Sequence, residues 1–392
     1  MGIPNEVIIE LTTECNLDCS FCYNKNFSPK NLGREEVKSI LDNMHSWGVK
    51  AVRFTGGEPL LRNDIEELLS YAKSKGFYVI LNTNGTLLNE KTETMNFVDL
   101  VLLSMHSSEQ LRKIENTIEL LGEKEFLLAT LAIPDNIYNL ECFYAFVDRI
   151  RKTHRNFSEW FLLRPISCNE KPALDISDLE TLRNRLIEYN QSYSMDIKIA
   201  NAIALCSVKC LSDVCKGGKF DLGHTRLFVK SDGTIYSDYL MQKRLGHISN
   251  DGLKDIWNSK ALRNIRNYSN LPGYCKECYL LEKCKGGLNE DSSIINPDNI
   301  VPMLSIIVDS PDPENIVHKL SRQKCRKSAF EVIVVGKGID FPGLRLSQAD
   351  GVDDARAMAR GQIVEFLTKS EISRDFVLEK LRSSGILKKH NL

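Results

Sequence analysis

From residue 6 to about residue 195 the chain alternates short, nearly continuous apolar runs with stretches of helical period. The runs are EVIIEL, AVRFTG, FYVILNTN, LVLLSMHS, FLLATLAI and WFLLRPI, and each ends in polar residues. Between them, helical spacing puts Val37, Ile40, Leu41, Met44 and Trp47 on one stripe and Leu111, Ile114, Ile118 and Leu121 on a second. Leu140, Phe143, Val147 and Ile150 form a third. Strands that are apolar on both faces need cover on both faces, so the pattern predicts a parallel sheet wrapped by helices. Six such βα units predict an α/β fold, a partial TIM-like (βα)6 barrel whose chemistry sits at the carboxyl ends of its strands.

Beyond residue 200 the pattern changes. Residues 200–290 are rich in cysteine and glycine, and KSDGTIYSDYL reads as a hairpin around Asp232-Gly233. GLNEDSSIINPDNIVP reads as a linker, after which MLSIIVDS, FEVIVVGKG and GQIVEFLTKS are strands of a small α/β domain. The predicted organisation is a barrel over residues 1–198, a small cysteine-rich α+β auxiliary domain over 199–290 and a closing domain over 291–392. A chain of 392 residues accommodates two or three cores. The formal net charge of -1 argues against a nucleic acid or an anionic membrane held by charge. No run approaches the roughly 20 apolar residues of a membrane span, and MGIPNEVIIEL lacks the regions of a signal peptide, so a cytoplasmic protein is expected.

Nine of the twelve cysteines cluster at 15–22, 206–215 and 275–284, while Cys142, Cys168 and Cys325 stand alone and read as buried apolar residues. In a reducing compartment such clusters favour metal binding or catalysis over disulfides. The stretch ECNLDCSFCYN holds Cys15, Cys19 and Cys22 in a C-x3-C-x2-C spacing directly after the first strand. A structural zinc wants four closed ligands, usually in two knuckles. A cubane 4Fe–4S cluster takes thiolates from short runs of this kind, and three ligands leave one iron open for a reaction partner. A zinc site and purely structural cysteines are the alternatives.

These residues resemble the signature of the radical S-adenosylmethionine (SAM) superfamily, including the aromatic Phe21 before the third cysteine. FTGGEP, at the end of the second strand, is similar to that family's GGE motif. The resemblance covers roughly residues 6–195. It implies a catalytic 4Fe–4S cluster on Cys15, Cys19 and Cys22, with SAM chelating the open iron. Reduction then breaks the sulfonium C–S bond, and the resulting 5′-deoxyadenosyl radical takes hydrogen from substrate. It also implies that Gly56, Gly57 and Glu58 grip the methionine moiety, Glu58 accepting from its ammonium. Asn84 in NTNG, Ser104 on the fourth strand and Arg164 after the sixth are the further SAM-contact candidates. Many relatives carry aspartate where this chain has His106, which is as readily a structural histidine. A low-potential ferredoxin or flavodoxin is the implied electron donor.

The second set, Cys275, Cys278 and Cys284, follows Cys206, Cys210 and Cys215. Residues 206–288 resemble the SPASM/twitch extension of radical SAM enzymes, which carries auxiliary 4Fe–4S clusters. Asp238 and Leu288 stand where such domains commonly have cysteines, so one auxiliary cluster is expected, with Cys215 or Cys210 as fourth ligand. A zinc ion on the same residues is the alternative. Residues 302–392 faintly resemble the nucleotide-binding half of GT-A glycosyltransferases, truncated and with Thr368-Lys369-Ser370 in place of the acidic metal-binding pair. That points to a docking or substrate-presenting remnant. The substrate implied is first a peptide or protein undergoing maturation, and second a carbohydrate or other small molecule that is oxidised or epimerised. In an epimerase Cys168 would be the hydrogen donor. A redox-sensing scaffold without turnover is the reading from another class.

Overall fold

The structure is a computed structural model. It describes residues 2–22, 24, 30–165, 174–195, 197–200, 205–208, 223–237, 244–276, 278 and 280–285, together with residue 314 and four strands between 304 and 367. Two compact units result: Met1–Asn270 with Gly287–Ile295, and Leu271–Gly286 with Asn296–Leu392.

The first unit is built on one ten-stranded sheet. Strands β1 (Glu6–Glu10), β2 (Ala51–Thr55), β3 (Tyr78–Thr83), β4 (Leu100–Ser104), β5 (Glu125–Leu131) and β6 (Phe157–Leu163) follow one another in space as in sequence. All are parallel to their neighbours, with Ile8 opposite Arg53, Arg53 opposite Ile80, and Asn82 opposite Leu102. These six strands match the six apolar runs. The short β7 (Lys198–Ala200) extends the parallel array beyond β6.

At the other edge β8 (Arg226–Val229) pairs in parallel with β1, so the predicted hairpin does not stand apart. β8 turns through Gly233, whose φ of 80° needs a glycine, into the antiparallel β9 (Thr234–Tyr236), and β10 (Arg244–His247) closes that edge. One carboxylate stitches this edge: Glu6, on β1, accepts from Arg53 on β2 and from Arg226 Nε on β8 at 2.9 Å.

Helices cover the outer face. α1 (Arg34–Trp47) begins where the Glu36 carboxylate accepts from Gly33 N at 2.7 Å and ends at Gly48, whose φ is 92°. It buries Val37, Ile40, Leu41 and Met44, each worth about 1.5–3 kcal/mol relative to exposure. Trp47, expected on that stripe, is only half-buried. α2 (Ile65–Ser74), α3 (Leu111–Leu120), the one-turn α4 (Pro134–Tyr138), α5 (Leu140–Thr153) and α6 (Ile176–Ser192) follow. α5 buries Leu140, Phe143, Val147 and Ile150 as its spacing requires. The reading of Cys142 as buried is corrected: it lies off that stripe and is exposed. Cys168 and Cys325 lie outside the described residues. No helix among the described residues is long and apolar enough to cross a membrane.

The second unit contains a four-stranded parallel sheet in the order β13 (Arg345–Ala349), β12 (Phe330–Val335), β11 (Leu304–Asp309), β14 (Gln362–Leu367). β13, RLSQA, has no apolar run to announce it.

The segment carrying the first cysteines is a loop closed at its neck. Leu32 N donates to Leu11 O at 3.1 Å, and Arg62 Nη1 donates to both Leu11 O (3.0 Å) and Leu32 O (2.8 Å). Asp64 holds that guanidinium by two bonds, at 2.9 and 2.8 Å. Burial pushes the Asp64 carboxyl up, but Arg62 outweighs it and the net result lies below the ordinary 3.8. A depressed carboxylate stabilises the fold above its unfolded pKa, and that contribution is lost as pH falls through the folded value. Asp64→Asn is therefore expected to cost about 2 kcal/mol at neutral pH. Thermal melts should show its gap from the parent protein narrowing as pH drops below about 4.

Candidate active site

The carboxyl ends of β1 to β6 surround one cavity of about 260 Å³. Cys15, Cys19 and Cys22 all line it, from the loop that follows β1. Cys15 is exposed and the other two are half-buried. Cys15 Sγ accepts from Leu17 N at 3.4 Å and from Asn84 Nδ2 at 3.9 Å. Burial pushes the Cys15 thiol up, these N–H donors pull it down, and the nearby Glu58 and Cys22 charges raise it further.

The loop's position comes from two glycines. Gly57 N donates to Thr12 O at 2.7 Å and Glu58 N to Glu14 O at 2.8 Å, so the backbone after β2 runs directly against the backbone leading into Cys15. A Cβ on Gly56 would lie 2.5 Å from Thr12 O, and one on Gly57 2.1 Å from Glu14 O. Both glycines line the cavity as expected. Their missing side chains make room for the backbone of the cysteine loop.

Glu58 differs from expectation. It is fully buried and does not line the cavity. Its Oε1 accepts from Leu60 N (3.1 Å) and Thr83 Oγ1 (2.8 Å), and its Oε2 from Asn84 N (2.8 Å). Burial raises its pKa, and these three bonds oppose the rise. The carboxylate thus fixes the end of β3.

Asn84 lines the cavity, but its amide is already engaged. Nδ2 donates to Asn16 Oδ1 at 2.9 Å, and Oδ1 accepts from Thr86 N at 2.9 Å. Asn84 therefore braces the cysteine loop from the β3 side. Ser104, at the end of β4, and Arg164, just past β6, both line the cavity. Phe21 lines it too and meets His106 edge-on, with ring centroids 5.6 Å apart. His106 accepts at Nδ1 from Leu131 N (3.2 Å), which leaves the proton of the neutral ring on Nε2. Burial pushes its pKa down to about 4.

Another carboxylate connects the edge hairpin to the same loop. Glu10, fully buried at the end of β1, accepts from Ser231 Oγ at 2.7 Å and from Asn24 Nδ2 at 3.4 Å. Its neighbour Lys230 has its pKa lowered by burial, with the Glu10 charge acting in the opposite direction.

Among the cavity residues that escaped the sequence reading are Arg53 and Asn82. Both sit inside apolar runs at alternate positions, which is the only signal the sequence offers for an inward polar side chain.

In the second unit Cys275 lies on α7 (Gly273–Lys276) and Cys284 ends α8 (Leu281–Cys284), with Cys278 between them. Cys278 N donates to Cys275 O at 3.1 Å. Burial and then the charges of Cys284 and Cys278 push the Cys275 thiol up to about 11, the mark of thiols gathered together. Cys206 is buried, while Cys210, Cys215, Asp238 and Leu288 lie outside the described residues.

Among the described residues, no three His, Cys, Asp or Glu side chains converge on a single metal point. The three thiols that line the cavity from one loop, the N–H donors on Cys15 Sγ and the adjoining space fit a 4Fe–4S cluster with SAM beside it.

Residues 9–121 match the Radical SAM superfamily, and residues 221–279 match the SPASM iron-sulfur cluster-binding domain. The chain carries both domains. Among curated relatives, the Fe-coproporphyrin III synthase of Methanosarcina barkeri is 40% identical over 88 residues, 22% of this chain and 22% of that protein. The match thus spans about a fifth of that relative's length. The AdoMet-dependent heme synthase of Nitratidesulfovibrio vulgaris is 23% identical over 317 residues, 71% of this chain and 85% of that protein. The PqqA peptide cyclase of Bradyrhizobium diazoefficiens is 39% identical over 93 residues, 23% of this chain and 24% of that protein. Among solved structures, Streptococcus suis SuiB bound to its precursor peptide SuiA superposes with a TM-score of 0.57 at 18% identity, covering 74% of this chain and 72% of SuiB. That likeness is one of fold. The radical SAM match ends at residue 121, just past α3, and takes in the whole cysteine loop.

Two substitutions test how the radical SAM loop is held. Gly57→Ala forces a Cβ into Glu14 O and is expected to cost at least about 1–3 kcal/mol. It should also depress iron loading on the first cysteine set, whereas Gly2→Ala, with nothing within 4 Å, should load normally. Glu58→Gln sets an N–H against one of the three donors and is expected to lower stability by about 1–3 kcal/mol in thermal melts of the metal-free protein.

Proposed function

We propose that this protein is a radical SAM enzyme that abstracts hydrogen from a peptide or protein substrate during its maturation. The observation that carries the reading is the placement of three cysteines from one loop around a single cavity at the carboxyl ends of the parallel strands. Cys15, Cys19 and Cys22 would hold a 4Fe–4S cluster, leaving one iron open for SAM. When bound and reduced, that pair supplies the chemistry: one electron breaks the sulfonium C–S bond, and the adenosyl fragment takes a hydrogen atom from substrate.

The chain's own residues bind, orient and exclude water. Gly56 and Gly57 fix the cysteine loop, Ser104 and Arg164 offer a hydroxyl and a guanidinium to SAM, and Phe21 packs beside them. Ile8, Leu17, Leu102, Leu131, Leu163 and Phe228 give the cavity an apolar wall that keeps water from a reactive intermediate. Cys275, Cys278 and Cys284 would hold one auxiliary 4Fe–4S cluster. That cluster would bind substrate or accept the electron left after hydrogen abstraction. A low-potential ferredoxin or flavodoxin would be the electron donor.

The peptide assignment is supported by the relation to PqqA peptide cyclase. The heme synthases, one of which aligns over 71% of this chain, favour a second reading in which the substrate is a tetrapyrrole. We read residues 1–198, 199–290 and 291–392 as the functional modules. The last would be a truncated GT-A-like domain that docks or presents substrate, a reading supported by its parallel β13-β12-β11-β14 order. Thr368, Lys369 and Ser370 lie outside the described residues.

Anaerobically reconstituted protein, given dithionite and SAM, is expected to release 5′-deoxyadenosine, and Cys19→Ala to release none. Intact SAM under strong reductant would overturn the enzymatic reading. Iron counting is expected to give about eight irons per chain, falling to about four in a Cys275→Ala/Cys278→Ala protein.

A further inference from the structure

Arg53 stands on β2 three residues before Gly56, which puts it below the rim by roughly 10 Å of strand. It lines the cavity all the same, in one register layer with Ile8 on β1 and Phe228 on β8, which line it too. Its side chain is only 14% exposed. A guanidinium is charged at every working pH and carries five N–H donors in one plane.

Two of its nitrogens are spent on the protein. Nε and Nη2 donate to Glu6, the second at 3.3 Å, and Glu6 is itself held by Arg226 Nε at 2.9 Å. This fixes the plane of the Arg53 group. Glu6 lies two residues before Ile8, the ladder partner of Arg53, so it stands toward the amino ends of the strands. Nε and Nη2 share one edge of a guanidinium, and Nη1 is on the other. With the first edge turned down to Glu6, Nη1 is turned up, toward the carboxyl ends where the cavity opens. It donates to no described residue. Ile8 and Phe228, in the same layer, have no side-chain acceptor to offer it.

The walls above supply no counter-ion. The described residues around the cavity include a second arginine, Arg164, and neither aspartate nor glutamate. A cationic donor that is fixed in plane, shielded from water and flanked by apolar side chains favours an anion over a neutral acceptor. Its Coulomb attraction grows as water is removed, and a charge-assisted bond is the stronger kind.

We propose that Arg53 Nη1 anchors a carboxylate of the substrate at the floor of the cavity. The proposal rests on the radical SAM reading above and narrows its substrate to one bearing an acid on an arm that reaches below the glycine pair. An acidic peptide side chain and a tetrapyrrole propionate both supply that group.

The test uses reconstituted enzyme with SAM bound and no reductant, and follows acetate and acetamide by ligand-observed NMR. The two probes match in shape and differ in charge. The parent enzyme is expected to bind acetate about tenfold more tightly, the margin between a charge-assisted and a neutral hydrogen bond. Arg53→Gln is expected to abolish that preference, and Arg53→Lys, which keeps the charge, to reduce it. Should Arg53→Gln fail to fold, the parent and Arg53→Lys still decide. No preference in the parent, or one undiminished in these variants, overturns the proposal. So does a preference seen only without SAM, which would make Arg53 the partner of the SAM carboxylate. Two pairs of larger probes separate the sources of the acid: N-acetyl-Ala-Glu-Ala-amide against its Gln counterpart, and coproporphyrin III against its tetra-amide. An Arg53-dependent preference for the acid in the first pair supports a peptide carboxylate, and in the second a propionate. Its absence from both overturns the proposal. An enzyme that cleaves SAM but shows no preference for acids sinks this inference alone. One that leaves SAM intact under strong reductant sinks the functional reading, whatever acetate does.

Discussion

Two backbone segments lie closer together here than any side chain permits, and the site depends on that approach. The strand-end peptide of Gly56 and Gly57 donates into the backbone of Thr12 and Glu14, with the hydrogen bond from Gly57 N at 2.7 Å. Without it the cysteine loop has no fixed relation to the barrel rim. Arg62 closes the neck of that loop, Asn84 braces it through Asn16, and Glu10 reaches its far end through Asn24. Three thiols on an irregular segment thus acquire the definition of a sheet without belonging to one.

Much of the polar chemistry around the cavity is spent on holding rather than on contacting. Glu58 and Asn84 carry residue types that invite assignment as ligand contacts, yet each already has protein partners. The groups left over lie elsewhere: Ser104 at the rim, His106 with its proton fixed on Nε2, and Arg53 and Asn82 below.

The fold was legible where one rule governs a whole segment. Burial on both faces forces near-continuous apolar strands, and all six appear where the runs placed them. The same rule misses β13, whose RLSQA has no such run, and it says nothing about which edge the hairpin joins. β8 lies against β1 because Glu6 gathers Arg53 and Arg226, residues 173 positions apart in sequence. Cys142 was misread because an isolated cysteine in a helix is buried only if it falls on the apolar stripe, and this one does not. The thiol trio was legible because its spacing is local.

The sequence by itself determined the alternation of strand and helix, the cysteine spacing and the position of the glycine pair, since each is set by neighbours a few residues away. Only the tertiary structure decided what those glycines make room for, that Glu58 faces the protein rather than the cavity, and that Arg53 and Asn82 line the same cavity. Those outcomes depend on which strands lie side by side and which way each pleat turns. Side-chain alternation along a strand shows two faces, but only the closed-in sheet makes one of them the inside.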